Sequence, residues 1–317
     1  MNARNPTPID MADLPVQRPS APATAAQARA RFFNSGNAFN VLLPAVPARV
    51  FADVAAQALA ATHSAWFDCD QSAQLGCGFR ATTPLMLARY ARVAPGDSLA
   101  VEVAATGLVG YVIAGQARCS GGDADLLLAA GDIVLLPGGP RYRLHGGADG
   151  ALLWIVDNQP QLAFDGSLPA PPAQAPIDVV HYPAAEIERQ LNVLYEAGSN
   201  DDTSGRALIF SSERQQASRN LMPSLTLSYN TLAPRAEQRA HRHNSAAITL
   251  IIQGQACHSR VNGQRCDWAP WSTMVTPPGA PHSHHNGGDS RALFLIVQDG
   301  GLHYHARTMD FVFLPSA

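Results

Sequence analysis

Three histidines have the residue type and the spacing of a metal site. His241 and His243 form the pattern His-Arg-His in a β-prone segment, and His282 follows further along the chain. Because side chains two positions apart on a strand point to one face, His241 and His243 can act as a chelating pair. With His282 on a later strand, three imidazoles would cover one face of a metal ion and leave its other positions open. The sequence therefore predicts a three-histidine metal site.

A fourth histidine is a candidate for proton transfer. His284 lies two residues after His282 and should share its face of the strand. An imidazole beside a metal site can act as a general acid or base, and we predict this catalytic role for His284. The alternative is a histidine at the rim of the pocket that is hydrogen-bonded to a nearby carbonyl group.

The segments that must position these histidines are short and β-prone. They occur in two blocks, at about residues 87–156 and 221–313, and Gly, Pro and Asp separate their strands. Regularly spaced strands of this kind are typical of a sandwich or a barrel. Helical spacing predicts one helix in residues 44–61 and another that begins at Ala184. The predicted fold class is therefore mainly β with a few short helices.

The connecting segments set the predicted domain boundaries. Residues 1–25 are rich in Pro and Ala, and residues 157–180 carry many prolines. The predicted organisation is an N-terminal arm that is disordered or wraps over a neighbour (1–25), a helical lead-in (26–86), an N-terminal barrel (87–157), a linker with a helix (158–218) and a C-terminal metal-binding barrel (219–317).

The two β-prone blocks align with each other, which indicates an internal repeat. Residues 94–119 align to residues 233–258 without a gap, and residues 131–142 align to residues 271–282 in the same way. Each block is therefore expected to fold into the same barrel.

The first repeat lacks the metal-binding side chains. At the positions of the three histidines it carries Glu102, Ala104 and Tyr142. We predict one metal ion per chain, in the second barrel. The first barrel is expected to be structural and to supply dimer contacts or a wall of the second pocket, in a homo-oligomer.

The spacing of Gly, Pro and His in both repeats resembles the two cupin motifs. These motif residues are Gly131, Pro137 and Gly139 in the first repeat and the His-Arg-His pair, Pro277, Gly279, His282 and Asn286 in the second. With the leader RNLMPSLTLSYNTLAPRAEQRAHRHNSAA and the run TPPGAPHSHHN, the chain is similar to the gentisate, salicylate and 1-hydroxy-2-naphthoate ring-cleaving dioxygenases. The resemblance covers about residues 80–313. It implies a bicupin, two jelly-roll barrels in tandem, that holds Fe(II) on the three histidines and uses O₂.

The resemblance breaks at three positions. The additional glutamate ligand of many cupins falls on Ala247. Two arginines that anchor the substrate carboxylate in the family fall on Thr249 and Leu87. Three neutral imidazoles remain as predicted ligands, and we expect an unusual or differently substituted substrate.

Other side chains must therefore bind the substrate. Arg239 shares the strand parity of the metal-binding histidines and is the preferred replacement for the missing arginines, with Arg80 and Arg89 as further candidates. Asn230 matches a family glutamine that contacts the substrate. The predicted substrate-binding residues are thus Asn230, Arg239 and Arg80.

Composition excludes several other chemistries. All 22 basic residues are arginine, so a lysine Schiff base and a P-loop lysine are both excluded. The net charge of −3 offers no electrostatic attraction for nucleic acid or for an anionic membrane. The five cysteines form no CxxC pair, and no apolar run is long enough to span a membrane. We expect a cytoplasmic protein.

Three functions are consistent with these residues. The first is a non-haem Fe(II) dioxygenase that opens a hydroxylated aromatic ring with O₂, as in the degradation of aromatic compounds. The second is a bicupin that binds a small molecule without catalysis, because one barrel fold hosts enzymes and binders alike. The third is a hydrolase or isomerase that uses Zn²⁺ or another metal at the same histidines.

Overall fold

The computed structural model of the chain describes residues 9–197 and 205–315. The chain divides into two compact units, residues 1–44 and residues 45–317. In the first unit a 3-10 helix spans Met11–Asp13, helix α1 spans Ala25–Ala28, and Gln17 and Phe32 form an antiparallel bridge. Residues 1–8 of the predicted N-terminal arm lie outside the described residues.

Strands make up most of the regular secondary structure in the described part of the second unit. The strands are β1 Arg49–Phe51, β2 Ala65–Asp68, β3 Leu87–Val93, β4 Ser98–Val101, β5 Gly107–Gly121, β6 Ala124–Ala129, β7 Ile133–Pro137, β8 Tyr142–Asp157, β9 Val180–Tyr182, β10 Arg206–Phe210, β11 Thr226–Leu232, β12 His241–His243, β13 Ala247–Gln253, β14 Cys257–Val261, β15 Gln264–Asp267, β16 Thr273–Thr276, β17 His282–Asn286, β18 Ala292–Gln298 and β19 Phe311–Phe313. The helices are α2 Ala52–Ala60, α3 Ser72–Leu75, α4 Gln159–Asp165, α5 Ala184–Glu196 and α6 Gly300–Ala306, with a 3-10 helix at Pro172–Gln174. None of the helices in the described ranges is long and apolar enough to cross a membrane.

Antiparallel sheets form two barrels in tandem. In the first barrel the strand order is β2-β3-β8-β5-β7-β9, with β4 paired to β8 and β6 paired to β5. In the second barrel one sheet has the order β1-β16-β13-β18-β11-β10 and the other has the order β15-β14-β17-β12-β19. The predicted mainly β bicupin fold is confirmed.

Four short strands, β1, β2, β9 and β10, come from segments that the sequence assigns to the lead-in and the linker. Strand β1 pairs with β16 of the second barrel, and β9 pairs with β7 of the first. The helix predicted in residues 44–61 therefore begins only at Ala52, because the ladder of β1 uses the backbone of residues 49–51. The helix predicted from Ala184 is present as α5.

Matching backbone hydrogen bonds confirm the internal repeat. In the first barrel the N–H of Gly131 donates to the carbonyl of Val112 at 2.8 Å, and in the second the N–H of Trp271 donates to that of Ile251 at 2.7 Å. Both donor residues have a positive φ, +90° at Gly131 and +61° at Trp271. The two turns therefore have the same geometry even though only the first has the residue that favours it.

The side chains of each strand alternate between two apolar clusters. On β13, Ile248 and Leu250 pack in a core cluster that includes residues of both barrels, whereas Ala247 and Ile251 pack in a small cluster inside the second barrel. This alternation follows from the period of two in a strand. The second barrel therefore encloses few large apolar side chains, and this leaves space for polar side chains on its interior face.

Candidate metal centre

Strands β12 and β17 bring the three predicted histidines together. His241 and His243 lie on β12, and His241 is paired across the ladder with His282 on β17. One ligand nitrogen from each of the three lies within 4.8 Å of the others, and all three residues are buried. Among the described residues, this is the only group of three or more His, Cys, Asp or Glu side chains with such spacing.

Backbone carbonyl groups fix the orientation of all three imidazoles. The Nδ1 atom of His241 donates to the carbonyl of Arg239 at 2.9 Å, that of His243 to Ser245 at 2.8 Å and that of His282 to Ala280 at 2.8 Å. Because a carbonyl oxygen only accepts, each Nδ1 carries the proton and each Nε2 keeps a free lone pair. Three Nε2 lone pairs are therefore available to one metal ion.

Burial keeps these imidazoles neutral. It lowers the pKa of His241, lowers that of His243 to about 4 and lowers that of His282 to about 2, with mutual repulsion of the rings as a further cause at His243 and His282. Metal ligation needs the neutral imidazole, so the histidines do not have to lose protons before binding at neutral pH. The donor set thus fits a first-row transition metal ion.

A cavity of about 430 Å³ opens beside the histidines. His241 and His243 contribute to its wall, together with polar residues of β11 and β18 and apolar residues such as Ile296 and Phe311. Its size lies within the range of small-molecule sites. The cavity is therefore a candidate substrate site with two of the three predicted metal ligands in its wall.

Arg219 supplies positive charge to this cavity and is absent from the sequence-based prediction. Among the described residues that line the cavity, it is the only one with a formal charge near neutral pH. Its guanidinium makes no hydrogen bond or ion pair within the described ranges, and its φ is +58° at the end of a turn in which its N–H donates to Gln215. No strand pattern covers this turn, which is why periodicity does not reveal it.

The predicted substrate-binding residues are placed differently from one another. Asn230 lines the cavity and donates to the Ser228 hydroxyl at 2.9 Å. Arg80 pairs with Asp68, with its Nη1 atom 2.5 Å from the Asp68 carboxylate, and its side chain is 70% exposed. Arg239 is exposed and packs over the Phe313 ring at 4.6 Å. The structure therefore brings Asn230, but neither arginine, to the cavity wall.

Arg89, another candidate anchor, is held inside the first barrel. Its guanidinium donates to the buried carboxylate of Asp157 at 3.0 Å and stacks over Trp66 at 5.3 Å. These contacts tie it to the first barrel, and it is not among the residues that line the cavity beside the histidines.

His284 faces the interior of the second barrel, as its strand parity predicts. It is buried, and its Nδ1 lies 2.7 Å from the hydroxyl of Ser259, which in turn accepts from the Trp268 indole at 2.8 Å. Because a hydroxyl has one proton and two lone pairs, Ser259 can accept from the Trp268 indole and donate its own proton to Nδ1 of His284. In that arrangement the His284 proton is on Nε2. His284 is not among the residues that line the cavity.

Two further polar residues on the interior face were not predicted. The amide Nε2 atom of Gln298 lies 3.2 Å from Nε2 of His243, and Gln298 also lines the cavity. The hydroxyl of Thr249 is buried and has no hydrogen-bond partner among the described residues. The alternation of side chains along the histidine strands does not identify either residue, because Thr249 and Gln298 lie on the sheet that faces those strands.

The matching positions of the first barrel are arranged differently. Glu102 and Ala104 are exposed, and the Glu102 carboxylate lies 3.5 Å from Arg141. Tyr142 is buried and donates to the carbonyl of Pro137 at 3.1 Å. These three residues do not share an interior face as the histidines of the second barrel do.

Known proteins that are similar to this chain include cupins and ring-cleaving dioxygenases. Residues 228–298 match the family model described as a cupin domain. The chain is 29% identical over 93 residues to gentisate 1,2-dioxygenase of Ralstonia sp., which covers 29% of this chain and 25% of that protein. It is 27% identical over 124 residues to 5-aminosalicylate 1,2-dioxygenase of Comamonas sp., covering 39% of this chain and 33% of that protein. The chain thus matches only a quarter to a third of the length of these relatives.

The fold similarity extends over most of the chain. A salicylate 1,2-dioxygenase from Pseudaminobacter salicylatoxidans superposes with a TM-score of 0.71 at 13% identity, over 87% of this chain and 91% of that one. The structure match shows the fold, and together with the curated relatives it confirms the resemblance to the gentisate, salicylate and 1-hydroxy-2-naphthoate dioxygenase bicupins that was predicted from the sequence.

Proposed function

We propose that this protein is a non-haem Fe(II) dioxygenase that cleaves a hydroxylated aromatic ring with O₂. The observation that carries the proposal is the cluster of three neutral imidazoles, two of which, His241 and His243, lie in the wall of a substrate-sized cavity. Iron bound there would supply the redox chemistry that couples the aromatic substrate to O₂. The named activities of the relatives support the same reaction class.

The residues of the chain position the substrate and limit its chemistry. Three protein ligands on one face leave the opposite positions of the metal for small molecules. The cavity carries both apolar contacts for a ring and polar groups for its substituents. We assign Asn230 to a substituent of the ring, because it lines the same cavity as His241 and His243 from the sheet that faces the histidine strands.

Arg219 takes the place of the missing family arginines in this proposal. Its guanidinium has no partner in the described ranges and lies in the wall of a cavity without acidic residues among those described. An unpaired arginine there favours an anionic group, and its planar fork suits a carboxylate. We therefore expect a hydroxylated aromatic acid as substrate, with its acid group towards Arg219.

His284 is proposed to move a proton during the reaction. Its ring is oriented through Ser259 and Trp268, and it lies next to His282 on the interior face of the barrel. A histidine in that place affects proton movement without holding the metal. The His284→Ala variant is expected to keep its metal and to lose turnover by on the order of 10²-fold.

Oxygen uptake tests the proposal directly. Protein loaded with Fe(II) under anaerobic conditions is expected to consume O₂ with at least one member of a panel of salicylates, aminophenols and hydroquinones, and to form a ring-opened product. The His241→Ala variant should bind no stoichiometric metal and should consume no O₂. If wild-type protein with one iron per chain consumes no O₂ with any compound, the protein is instead a bicupin that binds a small molecule without catalysis.

The cellular setting follows from the same proposal. We place the protein in the cytoplasm, in the degradation of aromatic compounds, and as a homo-oligomer in which the first barrel supplies subunit contacts. Gel filtration with light scattering checks the oligomeric state.

A further inference from the structure

The residue at the usual position of the cupin glutamate ligand lies opposite a glutamine. The additional glutamate ligand of many cupins falls on Ala247, and Ala247 is paired in register with Gln298 on the neighbouring strand. Side chains of directly opposed residues in an antiparallel pair lie on the same face, with Cβ atoms about 5 Å apart. Gln298 therefore projects from the same part of the interior surface as the missing glutamate.

The amide of Gln298 lies at the distance expected of a neighbouring ligand. Its Nε2 atom is 3.2 Å from Nε2 of His243, the nitrogen with the free lone pair. Two ligands at right angles around an ion, each with a bond of about 2.1 Å, are separated by about 3 Å. The separation in the structure is close to that value, so the amide reaches a position adjacent to His243.

The hydrogen bond itself also points to a shared ligand position. The Nε2 of His243 can accept from the amide only while no metal uses its lone pair. A half-turn of the amide about its last bond exchanges nitrogen for oxygen and leaves the rest of the side chain in place. The carbonyl oxygen then occupies the place that the NH₂ group has in this structure.

We propose that Gln298 supplies a fourth protein ligand to the metal, through its amide oxygen, in place of the glutamate that Ala247 lacks. The proposal rests on the metal site of the proposed function. It makes the centre a set of three imidazoles and one neutral oxygen donor. With no carboxylate in the set, the bound ion keeps its full charge of +2 towards an anionic substrate.

Cobalt binding tests the proposal without any catalytic reaction. Co(II) is bound to the metal-free protein, its affinity is measured by competition with a chelator, and its visible spectrum reports the coordination number. The variants are Gln298→Leu, which removes the oxygen, and Gln298→Glu, which restores the cupin glutamate chemistry. The matched control is Gln253→Leu, at the other end of the same sheet, where the side chain is exposed and donates to the carbonyl of Arg291 at 2.8 Å.

The expected results have opposite signs for the two variants. Gln298→Leu should bind Co(II) about 10-fold to 100-fold more weakly and should shift the spectrum towards a lower coordination number. Gln298→Glu should bind Co(II) more tightly than wild type, because a carboxylate adds charge attraction. Gln253→Leu should match wild type in both measurements. Circular dichroism of each metal-free variant confirms that it is folded.

Three outcomes separate this inference from the metal site itself. If wild type binds Co(II) and Gln298→Leu shows the same affinity and spectrum, Gln298 is not a ligand and only this inference fails. If Gln298→Glu leaves the affinity unchanged, the amide does not reach the metal and the inference fails in the same way. If wild type binds no Co(II), the metal site of the proposed function fails as well.

Discussion

Backbone groups, more than neighbouring side chains, orient the imidazoles of the candidate metal centre. Each Nδ1 donates to a carbonyl oxygen two residues away in the chain. Such a contact sets both the tautomer and the ring orientation of a ligand histidine. A substitution of the carbonyl-bearing residue leaves this contact in place, so the ligand geometry depends on local backbone conformation.

Arg219 is expected to determine the preference for acidic substrates. Replacement of Arg219 by Gln should raise the KM for a hydroxylated aromatic acid by about tenfold or more, because a hydrogen bond to a charged group is lost. The KM for a neutral hydroquinone or aminophenol should change little. Steady-state O₂ uptake with both kinds of compound measures the difference.

Arg260→Gln is the control for Arg219→Gln. Arg260 lies exposed on β14, is not among the residues that line the cavity and loses the same charge on substitution. Equal changes in KM for acidic and neutral compounds in Arg219→Gln, or the same change in Arg260→Gln, would contradict the assignment.

Asp299 is expected to make stability depend on pH. Its carboxyl is buried, and burial raises its pKa to about 7 although it accepts the N–H of Ala246 at 2.8 Å. The folded state therefore binds its proton more tightly than the unfolded state, and its contribution to stability is lost as pH rises from about 4 to about 7. In Asp299→Asn this loss should be absent. Urea unfolding at pH 5 and pH 8 measures it, and an identical pH dependence in both proteins would contradict the prediction.

At the scale of elements, turns and bulges rather than strand residues set the shape of each barrel. Strand β5 changes register against β8 next to Gly115, which has a φ of +74°. A β-carbon at this position would lie 2.1 Å from the carbonyl oxygen of Gly150. The close approach of two backbone segments therefore requires glycine at this bulge for two reasons, conformation and space.

Gly115→Ala and Gly96→Ala separate these two reasons. Gly96 has a similar φ of +67°, but a β-carbon there would meet no atom within 4 Å. Gly96→Ala should cost about 1–2 kcal/mol of unfolding free energy from the left-handed conformation alone. Gly115→Ala should cost clearly more, because the Gly150 carbonyl must also move. Equal losses in chemical denaturation would show that the space around Gly115 is not limiting.

At the scale of the whole second unit, a buried polar contact joins the two barrels within their shared apolar core. The hydroxyl of Thr273 in the second barrel accepts from the Trp154 indole of the first at 2.9 Å and lies 2.9 Å from the Tyr90 hydroxyl. Thr273 and Trp154 are fully buried. The barrels are therefore expected to unfold in one transition.

Thr273→Val should lower the unfolding free energy by about 1–3 kcal/mol, because the Trp154 indole N–H stays buried without a partner. The control is Thr83→Val, since the Thr83 hydroxyl is buried and has no partner among the described residues, so its loss should be neutral or stabilising. Thermal unfolding followed by tryptophan fluorescence and by circular dichroism compares them. A stability of Thr273→Val equal to that of wild type would show that this contact does not couple the barrels.

The fold class, the internal repeat and the three clustered histidines could be predicted from the sequence alone. Strand periodicity and the spacing of Gly, Pro and His are local properties, so His241, His243 and His282 follow from parity on neighbouring strands. Pairings and contacts between distant segments could not be predicted. The joining of β1 to β16, the placement of Arg219 in the cavity and the opposition of Gln298 to Ala247 depend on how separate strands and turns meet in space. No periodic pattern in the sequence predicts these contacts, because they depend on long-range packing and on the register between strands.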